Sequence, residues 1–433
     1  MKLSKSFLFL PVIYLVTLVF FIANSCNTAD ETVAVTNISL EPTTASIVAG
    51  STQQLTATIV PSNATVKDYT WKSSDESIAT VGNDGLVTAI ATGNATITVT
   101  TTDGGKTATC VISVTLNMMP DIFVAGYEDK GNGSDHIAKY WKNGVASDLT
   151  DGSKNAYAHS IYVSGSDIHV VGQELNGSAF RAKYWKNGVA IDLTDGTKAS
   201  TATSVYVVGN DVYVAGSEYN NGKSVAKYWK NGLAINLSDG TKDSYATSIF
   251  VSGSDVYVAG KEYSGSKDIA KYWKNGVATI LSDGTKDNYT TSIYVSGNDI
   301  YVAGNEYNGS HYFSKYWKNG ESTVLTDGTA DSRVSSITLS GGDIYLAGSE
   351  FNNGSREIAR YWKNGVVTNV SNSSNNASAF SIYLAGSDIY VAGYEEKVNG
   401  IMRIAKYWKN GEAIALSDGT KNNYATSIFV KEK

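Results

Sequence analysis

Residues 121–433 carry one pattern of apolar and polar positions seven times. Each copy reads approximately SIYVSGSDIYVAGxEYNNGxxxAKYWKNGVAxxLTDGTKxxYAT, and the YWKNG motif recurs every 44–46 residues. Four short runs per copy, SIYV, DIYVAGxE, AKYWK and VAxxL, have the character of strands, and no segment keeps the 3.6-residue apolar period of a helix. Four strands per copy, seven times over, predict a seven-bladed β-propeller.

The connections between these runs set the strand order in each blade. Gly-Ser-Asp or Gly-Asn-Asp joins the first two runs, and Asn-Gly, the dipeptide of type I′ hairpins, joins the last two. The long link LTDGTKxxYAT must then cross from the outermost strand of one blade to the innermost strand, SIYV, of the next. The first blade lacks its innermost run. We expect residues 427–430 to supply it and to close the ring without an open sheet edge.

Ahead of the repeats, residues 34–115 alternate short apolar runs with Thr, Ser and Asn at the 8–12-residue spacing of a β-sandwich. The stretch TWKSSDESIATVGNDGLVTAIATGNATITVT, followed by GGKTATCVISV, resembles the bacterial immunoglobulin-like domain of group 2. This resemblance implies a sandwich used as a stalk or adhesive module in surface proteins. We expect Trp71 to anchor its core, with a ligand platform as the alternative, and Cys110 to be a small buried hydrophobe.

The N-terminus is an apolar block over residues 7–23, with Lys2 and Lys5 before it and Cys26 just after it. A basic start, an apolar run and small residues before a cleavage point are the parts of a secretory signal peptide. The junction resembles a bacterial lipoprotein lipobox, with Ala23 where such sites usually carry Leu. The resemblance implies a diacylated Cys26 as the new N-terminus. The alternatives are an ordinary secretory signal or an uncleaved anchor helix, since the run nears the ~20 residues that span a bilayer.

Asp30 and Glu31 follow Cys26 closely and resemble the acidic patch that directs some Gram-negative lipoproteins to the outer face of the outer membrane. The expected location is therefore the bacterial outer membrane, with a lipid anchor and exposure at the cell surface. The expected organisation is all-β after the leader: a signal peptide at 1–25, a tether at 26–33, the Ig-like domain at 34–115, a linker at 116–120 and the propeller at 121–433.

Composition and charge narrow the classes of function. A hydrophobic fraction of 42% is enough to fill cores, and a net charge of −6 argues against a nucleic-acid partner. Two Cys make neither a disulfide framework nor a thiolate metal site. The sequence has no phosphate-cradling loop, HExxH pair or nucleophile elbow, and its four His lie in different hairpins and strands. We therefore expect no catalytic residues, no cofactor and no metal, and we expect the DGT aspartates to form turns, with calcium ligation as the alternative.

Residues that recur in all seven copies are expected to build the fold. The Trp of each YWKNG should pack between blades. A Glu after each VAG lies on the strand next to a base that precedes each Tyr-Trp, which predicts one cross-strand ion pair per blade. The acidic residues are Glu128, Glu174, Glu218, Glu262, Glu306, Glu350 and Glu395, and the basic residues are Lys139, Lys183, Lys227, Lys271, Lys315, Arg360 and Lys406.

Ligand recognition is expected where the copies differ. One position, immediately ahead of each innermost strand, holds Tyr157, Thr201, Tyr245, Tyr289, Arg333, Ser378 and Tyr424 in turn. The four Tyr and Arg333 should surround one end of the central channel, where aromatic rings stack on a sugar and polar groups fix its hydroxyls. The alternative is that these Tyr only hold the crossing loops to the blades. The opposite face, built from near-identical turns, is expected to be poor in aromatic side chains.

These patterns together predict a surface-anchored, non-catalytic binding or adhesion protein whose propeller recognises a glycan or an envelope partner. A polysaccharide-active enzyme on a propeller scaffold and a structural scaffold for outer-membrane proteins are the alternatives. The repeats resemble uncharacterised bacterial propeller repeats with the YWKNG signature. That resemblance implies a fold and no mechanism.

Overall fold

The protein is described here from a computed structural model, which covers residues 32–116, 119–131, 135–352, 356–372, 374–397 and 402–433. Contacts divide the chain into two compact units, Met1–Met118 and Met119–Lys433. The predicted signal peptide, the acylation residue Cys26 and most of the tether lie outside the described residues. No helix among the described residues is long and apolar enough to cross a membrane.

The N-terminal unit is a sandwich of short strands. β2, β9, β8 and β5 form a four-stranded sheet in that order, β3, β7 and β6 form a second sheet, and β1 pairs with β4. Cys110 is fully buried in the core, as predicted, and Trp71 packs against that core while staying partly exposed. The strands are β1 (Asn37–Glu41), β2 (Thr44–Val48), β3 (Thr52–Gln54), β4 (Thr56–Val60), β5 (Tyr69–Ser73), β6 (Ala79–Val81), β7 (Leu86–Ala89), β8 (Gly93–Thr101) and β9 (Thr107–Thr115).

The C-terminal unit contains seven four-stranded sheets, the blades of the predicted β-propeller. In chain order, blade 1 has β10 (Asp121–Asp129), β11 (His136–Lys142) and β12 (Val145–Asp148); blade 2 has β13 (Ala156–Ser164), β14 (Asp167–Asn176), β15 (Ala179–Lys186) and β16 (Val189–Asp192); blade 3 has β17 (Ser200–Val208), β18 (Asp211–Asn220), β19 (Lys223–Lys230) and β20 (Leu233–Asn236); blade 4 has β21 (Ser244–Ser252), β22 (Asp255–Tyr263), β23 (Asp268–Lys274) and β24 (Val277–Ile280); blade 5 has β25 (Asn288–Ser296), β26 (Asp299–Tyr307), β27 (Tyr312–Lys318) and β28 (Glu321–Val324); blade 6 has β29 (Ser332–Ser340), β30 (Asp343–Asn352), β31 (Arg356–Lys363) and β32 (Val366–Asn369); blade 7 has β33 (Ala377–Ala385), β34 (Asp388–Glu396), β35 (Arg403–Lys409) and β36 (Glu412–Ala415); and β37 spans Asn423–Lys431.

The strand order within each blade follows the chain from the innermost strand outward, as the turn chemistry predicts. Blade 2 runs β13-β14-β15-β16, and blades 3 to 7 repeat that order. In the turn between the last two strands of blade 1, Asn143 has φ 50° and Gly144 has φ 83°, and the other six Asn-Gly turns have the same signs. Positive φ at both residues is the signature of the type I′ hairpin.

The fourth strand of blade 1 comes from the other end of the chain. β37 pairs antiparallel with β10, with Ile428 opposite Val124 and Val430 opposite Ile122. β37 also contacts β13 of blade 2 and β33 of blade 7, so it lies between the innermost strands of those blades.

The tryptophan of each YWKNG packs where two blades meet. Trp185 of blade 2 belongs to one hydrophobic cluster with Phe123 and Ala125 of blade 1 and with Ile161 of its own blade. All seven of these Trp are at most 1% exposed, so the predicted packing role is confirmed. The glycine of each VAG makes room for this arrangement. A Cβ at Gly216, for example, would overlap a backbone carbonyl of the innermost strand and the ring of the Trp in its own blade.

The cross-strand ion pairs predicted between the recurring Glu and base are present in all seven blades. In blade 2, Lys183 Nζ lies 2.8 Å from Glu174 Oε2. These pairs occupy neighbouring strands and leave no recurring Glu without a cation. The predicted cross-strand ion pairs are therefore confirmed.

The innermost strands start earlier than the sequence predicts. Each is nine residues long, and in β13 a bulge between Ala158 and Ser160 leaves His159 unpaired. Because the chain keeps pairing on both sides of the bulge, Tyr157 lies within the strand, opposite Gln173. The prediction that Tyr157, Tyr245, Tyr289, Arg333 and Tyr424 precede the strands is therefore wrong. Each is the second residue of an innermost strand.

At the end of each blade away from the bulge, a set of polar contacts, which we call the clamp, joins the turn between the first two strands to the Asn-Gly turn between the last two. In blade 3, Asp211 Oδ1 accepts a hydrogen bond from Asn231 Nδ2 at 2.8 Å, and Asp211 Oδ2 lies 2.8 Å from Lys230 Nζ. The Asn231 Oδ1 atom in turn accepts from the Val212 backbone amide at 2.9 Å. The equivalent Asp, Asn and Lys make the corresponding contacts in the other blades. These bonds hold the pKa of Asp211 below its ordinary value.

Candidate functional site

Three positions per blade differ from copy to copy and lie at one end of the blades, which we call the crossing end. They are the second residue of the innermost strand, the residue after the glycine of VAG, and the residue three before the recurring base. We call these side chains the belt. In blade order they are Tyr424, Tyr157, Thr201, Tyr245, Tyr289, Arg333 and Ser378; Tyr127, Gln173, Ser217, Lys261, Asn305, Ser349 and Tyr394; and His136, Phe180, Ser224, Asp268, Tyr312, Glu357 and Arg403.

The crossing loops and the hairpins between the second and third strands meet at this end. The backbone amide of His136, at the start of β11, donates to Asn155 Oδ1 of the crossing into blade 2 at 3.0 Å. In blade 4 the backbone amide of Asp268 likewise donates to Asp287 Oδ1 at 3.0 Å. The two variable segments of the repeat therefore share one face.

Aromatic rings fill the belt across blades 7, 1 and 2. Tyr127 stacks on Tyr424 with ring centroids 4.6 Å apart and meets the ring of Tyr157 edge-on at 4.9 Å. Arg403 Nη1 donates to the Tyr424 hydroxyl at 2.7 Å, and its guanidinium lies 4.8 Å from the ring centre of Tyr394. Two predicted site residues, Tyr157 and Tyr424, are thus brought together around Tyr127.

A second group of rings and cations covers blades 4 to 6. Lys261 Nζ lies 5.6 Å from the ring centre of Tyr245 and 5.9 Å from that of Tyr289. The ring centres of Tyr312 and Tyr289 are 5.7 Å apart, and the guanidinium carbon of Arg333 lies 5.3 Å from the ring centre of Tyr312. The predicted residues Tyr245, Tyr289 and Arg333 therefore form one group through Lys261 and Tyr312.

Small polar residues separate the two groups on one side. Blade 3 contributes only Thr201, Ser217 and Ser224 to the belt, beside a hollow of about 230 Å³ that Phe180 and Tyr245 also line. On the other side the carboxylate of Glu357 is enclosed by hydroxyls, including those of Ser349 at 2.6 Å and Ser378 at 2.9 Å. The five predicted residues thus belong to two patches of the same face.

A cavity of about 510 Å³ opens in the aromatic group of blades 7, 1 and 2. That volume falls in the range of about 300–1,000 Å³ typical of small-molecule sites. Its aromatic walls are Tyr127, Tyr157, Phe180 and Phe380, and its polar groups are His159, Gln173 and Thr426.

The other end of the channel is also aromatic, contrary to the expectation for the turn face. A collar of six rings lines it, with neighbouring ring centres 4.8–5.1 Å apart: Tyr162, Tyr206, Phe250, Tyr294, Tyr383 and Phe429. Thr338 takes the place of a ring in blade 6. The prediction is wrong because these residues belong to the innermost strands and point into the channel, so the composition of the turns does not reveal them.

Metal ligation finds no support in the part of the chain that the structure describes, where no three His, Cys, Asp or Glu side chains are grouped to hold an ion. The DGT aspartates cap their own turns: Asp239 Oδ1 accepts from the Thr241 backbone amide at 2.9 Å and from its hydroxyl at 2.7 Å. The turn interpretation of DGT is therefore confirmed.

Sequence reasoning missed several residues of this face, above all His159, Phe180, Phe380 and Arg403. A position-by-position comparison of the seven copies was the available signal. Besides the position of Tyr157, the bulge and the second and third strands also differ between copies.

Residues 34–112 match the family model of the bacterial Ig-like domain (group 2). An uncharacterized protein of Clostridium acetobutylicum is 40% identical over 87 residues, 20% of this chain and 22% of that protein. An alpha-L-arabinofuranosidase of Bifidobacterium longum subsp. longum is 51% identical over 61 residues, 14% of this chain and 6% of the enzyme. The chain thus spans under a quarter of the length of either relative.

Solved structures show only a distant likeness. TolB from Acinetobacter baumannii has a TM-score of 0.41 at 10% identity, covering 69% of this chain and 78% of TolB. The β-propeller domain of the Trilobed protease from Pyrococcus furiosus has a TM-score of 0.40 at 10% identity, covering 76% of this chain and 96% of that domain. Neither likeness bears on function.

Proposed function

We propose that this protein is a non-catalytic recognition protein whose propeller binds a glycan through the belt at its crossing end. One observation carries the proposal: the side chains that differ between blades lie on one face, and the constant ones hold the blades together. A ligand is not sevenfold symmetric, so a site for it needs differing side chains. The belt supplies half-buried rings beside amide, hydroxyl and cationic groups, a combination that suits sugar stacking and hydroxyl binding.

Two observations favour binding over catalysis. Each recurring Glu is paired with a cation in its own blade. The two carboxylates of the belt are also engaged: Glu357 by three hydroxyls, and Asp268 by Lys261, whose Nζ lies 2.6 Å from Asp268 Oδ2. A glycosidase needs two carboxyl groups in contrasting environments, free to reach a substrate. The match to a relative named alpha-L-arabinofuranosidase is consistent with a carbohydrate setting but covers only 14% of this chain.

We also propose that the protein is held on the bacterial outer membrane through acylated Cys26, with the Ig-like domain following the anchor. The support is the order of segments in the sequence: apolar leader, Cys26, acidic pair and sandwich. An envelope protein is the second kind of partner that such a location offers.

The test of glycan recognition is the double variant Tyr245→Ala and Tyr289→Ala, assayed on an oligosaccharide array with the purified protein. Tyr245 is 37% exposed and Tyr289 half-buried, so their removal should cost little stability. We expect binding to weaken tenfold or more, about 1.4 kcal/mol, with a nearly unchanged melting temperature.

The control removes two exposed apolar side chains far from the belt, as Leu233→Ala and Val277→Ala on the outermost strands. These residues are 75% and 71% exposed. A large loss of stability in the Tyr variant, without a specific effect on binding, would make the Tyr residues structural plugs. The protein would then be a scaffold.

A further inference from the structure

The bulge residue of each innermost strand shows what a constant position does in this fold. Five blades have Thr or Ser there, and two hydroxyls illustrate the role. Thr426 Oγ1 lies 3.1 Å from Ala125 O in its own blade and 2.9 Å from Ala158 O in the next. Thr203 Oγ1 lies 3.1 Å from Ala215 O and 3.0 Å from Ala246 O in the same way. Thr247 Oγ1 of blade 4 likewise reaches Thr290 Oγ1 of the next blade at 3.2 Å, whereas the Thr291 hydroxyl of blade 5 has no partner among the described residues. In three blades, therefore, the bulge residue ties neighbouring blades together.

Two blades depart from this rule, and both departures line the same cavity. Blade 2 carries His159 and blade 7 carries Phe380 at the bulge. Blade 1 lies between them, and its own bulge residue, Thr426, also lines the cavity of about 510 Å³. Two exceptions to a seven-copy pattern that meet in one cavity indicate a site shaped for a ligand.

The hydrogen bonding of His159 leaves one ring nitrogen free. Its Nδ1 atom lies 3.0 Å from the backbone oxygen of Ala202 in blade 3, which replaces the usual Thr contact. A carbonyl oxygen only accepts, so Nδ1 carries the proton and Nε2 is an acceptor. Among the described residues nothing bonds to Nε2. Burial lowers the pKa of His159, which keeps the ring neutral near pH 7.

The cavity lining therefore carries no formal charge. Four aromatic walls surround the neutral His159, the amide of Gln173 and the hydroxyl of Thr426. An ionised ligand would leave water without a counter-charge, which is unfavourable. The Nε2 acceptor requires a donor from the ligand, and the ring faces favour the C–H face of a sugar over a flexible chain.

We propose that this cavity is the main subsite of the belt and that it takes an uncharged sugar residue, with one hydroxyl donating to His159 Nε2 and the ring stacked on Tyr157 or Tyr127. The inference rests on the proposed function and adds the position of the subsite and the charge of its ligand. It also assigns His159 and Phe380 as binding residues.

The repeat itself supplies the test variants. His159→Thr and Phe380→Thr restore the residue that most blades carry. The Thr hydroxyl can replace the inter-blade contact of His159, while the first variant loses the Nε2 acceptor and the second loses one aromatic wall. Gln173→Ser restores the residue of blades 3 and 6 and serves as a second variant. Ser335→Thr makes the same kind of change in blade 6, away from the cavity, and is the control.

We would measure melting temperatures and binding of the full chain to immobilised neutral and uronic-acid-containing oligosaccharides. We expect each of the three cavity variants to bind neutral oligosaccharides at least tenfold more weakly at an unchanged melting temperature, and Ser335→Thr to bind normally. Preference for the acidic oligosaccharides would overturn the inference. Neutral-sugar binding that is lost in the Tyr245 and Tyr289 variant but kept in the cavity variants would overturn it and leave the proposed function standing. No oligosaccharide binding at all would overturn both.

Discussion

At the scale of single residues, a position that is constant in all seven copies of the repeat can lie next to one that varies from blade to blade. Gly216 is constant because a Cβ would overlap the innermost strand, whereas the next residue, Ser217, is a belt position that becomes Tyr, Gln, Lys or Asn in other blades. At the other end of the blades, where the Asn-Gly turns lie, Asp211 and Asn231 are constant and their equivalents make the same contacts. The sequence indicated which residues are constant, but the Asp–Asn–Lys clamp was missed because its members lie about 20 residues apart.

The clamp predicts how stability depends on pH. Hydrogen bonds from Lys230 and Asn231 lower the pKa of Asp211 below its ordinary value of 3.8, and the equivalent Asp in other blades behave alike. A carboxyl group whose pKa is lowered by folding stabilises the folded protein at pH values above its ordinary pKa. This stabilisation is lost as the pH falls through the lowered pKa. We expect the melting temperature to be flat from about pH 5 to 7 and to fall below about pH 4. Calorimetry over that range measures it.

The variant Asp211→Asn isolates one clamp from other carboxylates with lowered pKa values. It should melt lower than the natural protein at pH 7 and approach it at acid pH, since protonation removes the same charge. A constant difference at every pH would contradict this account.

At the scale of elements, three strands of each blade were predictable and the innermost one only in part. The alternation of apolar and polar residues in SIYV predicts the second half of the innermost strand. The bulge at His159 adds one residue and breaks the alternation, so the first half, which includes Tyr157, looked like loop. The candidate residues were therefore found by their variation, while their place in a strand required the backbone pairing.

Deletion of residues 427–433 tests the role of β37 in blade 1. The deletion removes Ile428 and Val430, which are at most 3% exposed, and uncovers the edge of β10. Buried side chains of this size contribute about 1.5–3 kcal/mol each. We expect aggregation or a loss of several degrees in melting temperature.

Deletion of only residues 432 and 433, which are exposed, is the matched control and should leave the melt unchanged. If the longer deletion melts like the intact protein, β37 does not stabilise blade 1.

At the scale of the whole molecule, the period of the repeat gave the number of blades and the alternation before it gave the sandwich. Which blades share the cavity was not predictable. Equivalent residues of blades 2 and 7, such as His159 and Phe380, are more than 200 residues apart in sequence, and the two blades flank blade 1 because β37 pairs with β10. The aromatic collar was missed for a related reason, since one ring per copy forms a lining only around a common axis.

The proposed anchor is tested by Cys26→Ser in cells fed a labelled palmitate. Two or more acyl chains would hold the protein firmly on a membrane, at about 0.8 kcal/mol for each buried CH₂. We expect the variant to lose the label and to keep its leader. Cys110→Ala, at the other cysteine, should be labelled normally. Undiminished labelling of Cys26→Ser would show that this residue is not the anchor.

The pairing of β37 with β10 also brings the two ends of the propeller together, with Lys433 Nζ 3.5 Å from Asp121 Oδ1. A short linker would therefore join these ends. The tight turns between the first two strands of blades 2 to 7 offer six equivalent places to open the joined chain. Each circular permutant would keep every strand pairing of the seven blades, so the point at which the propeller begins is independent of the structure it forms.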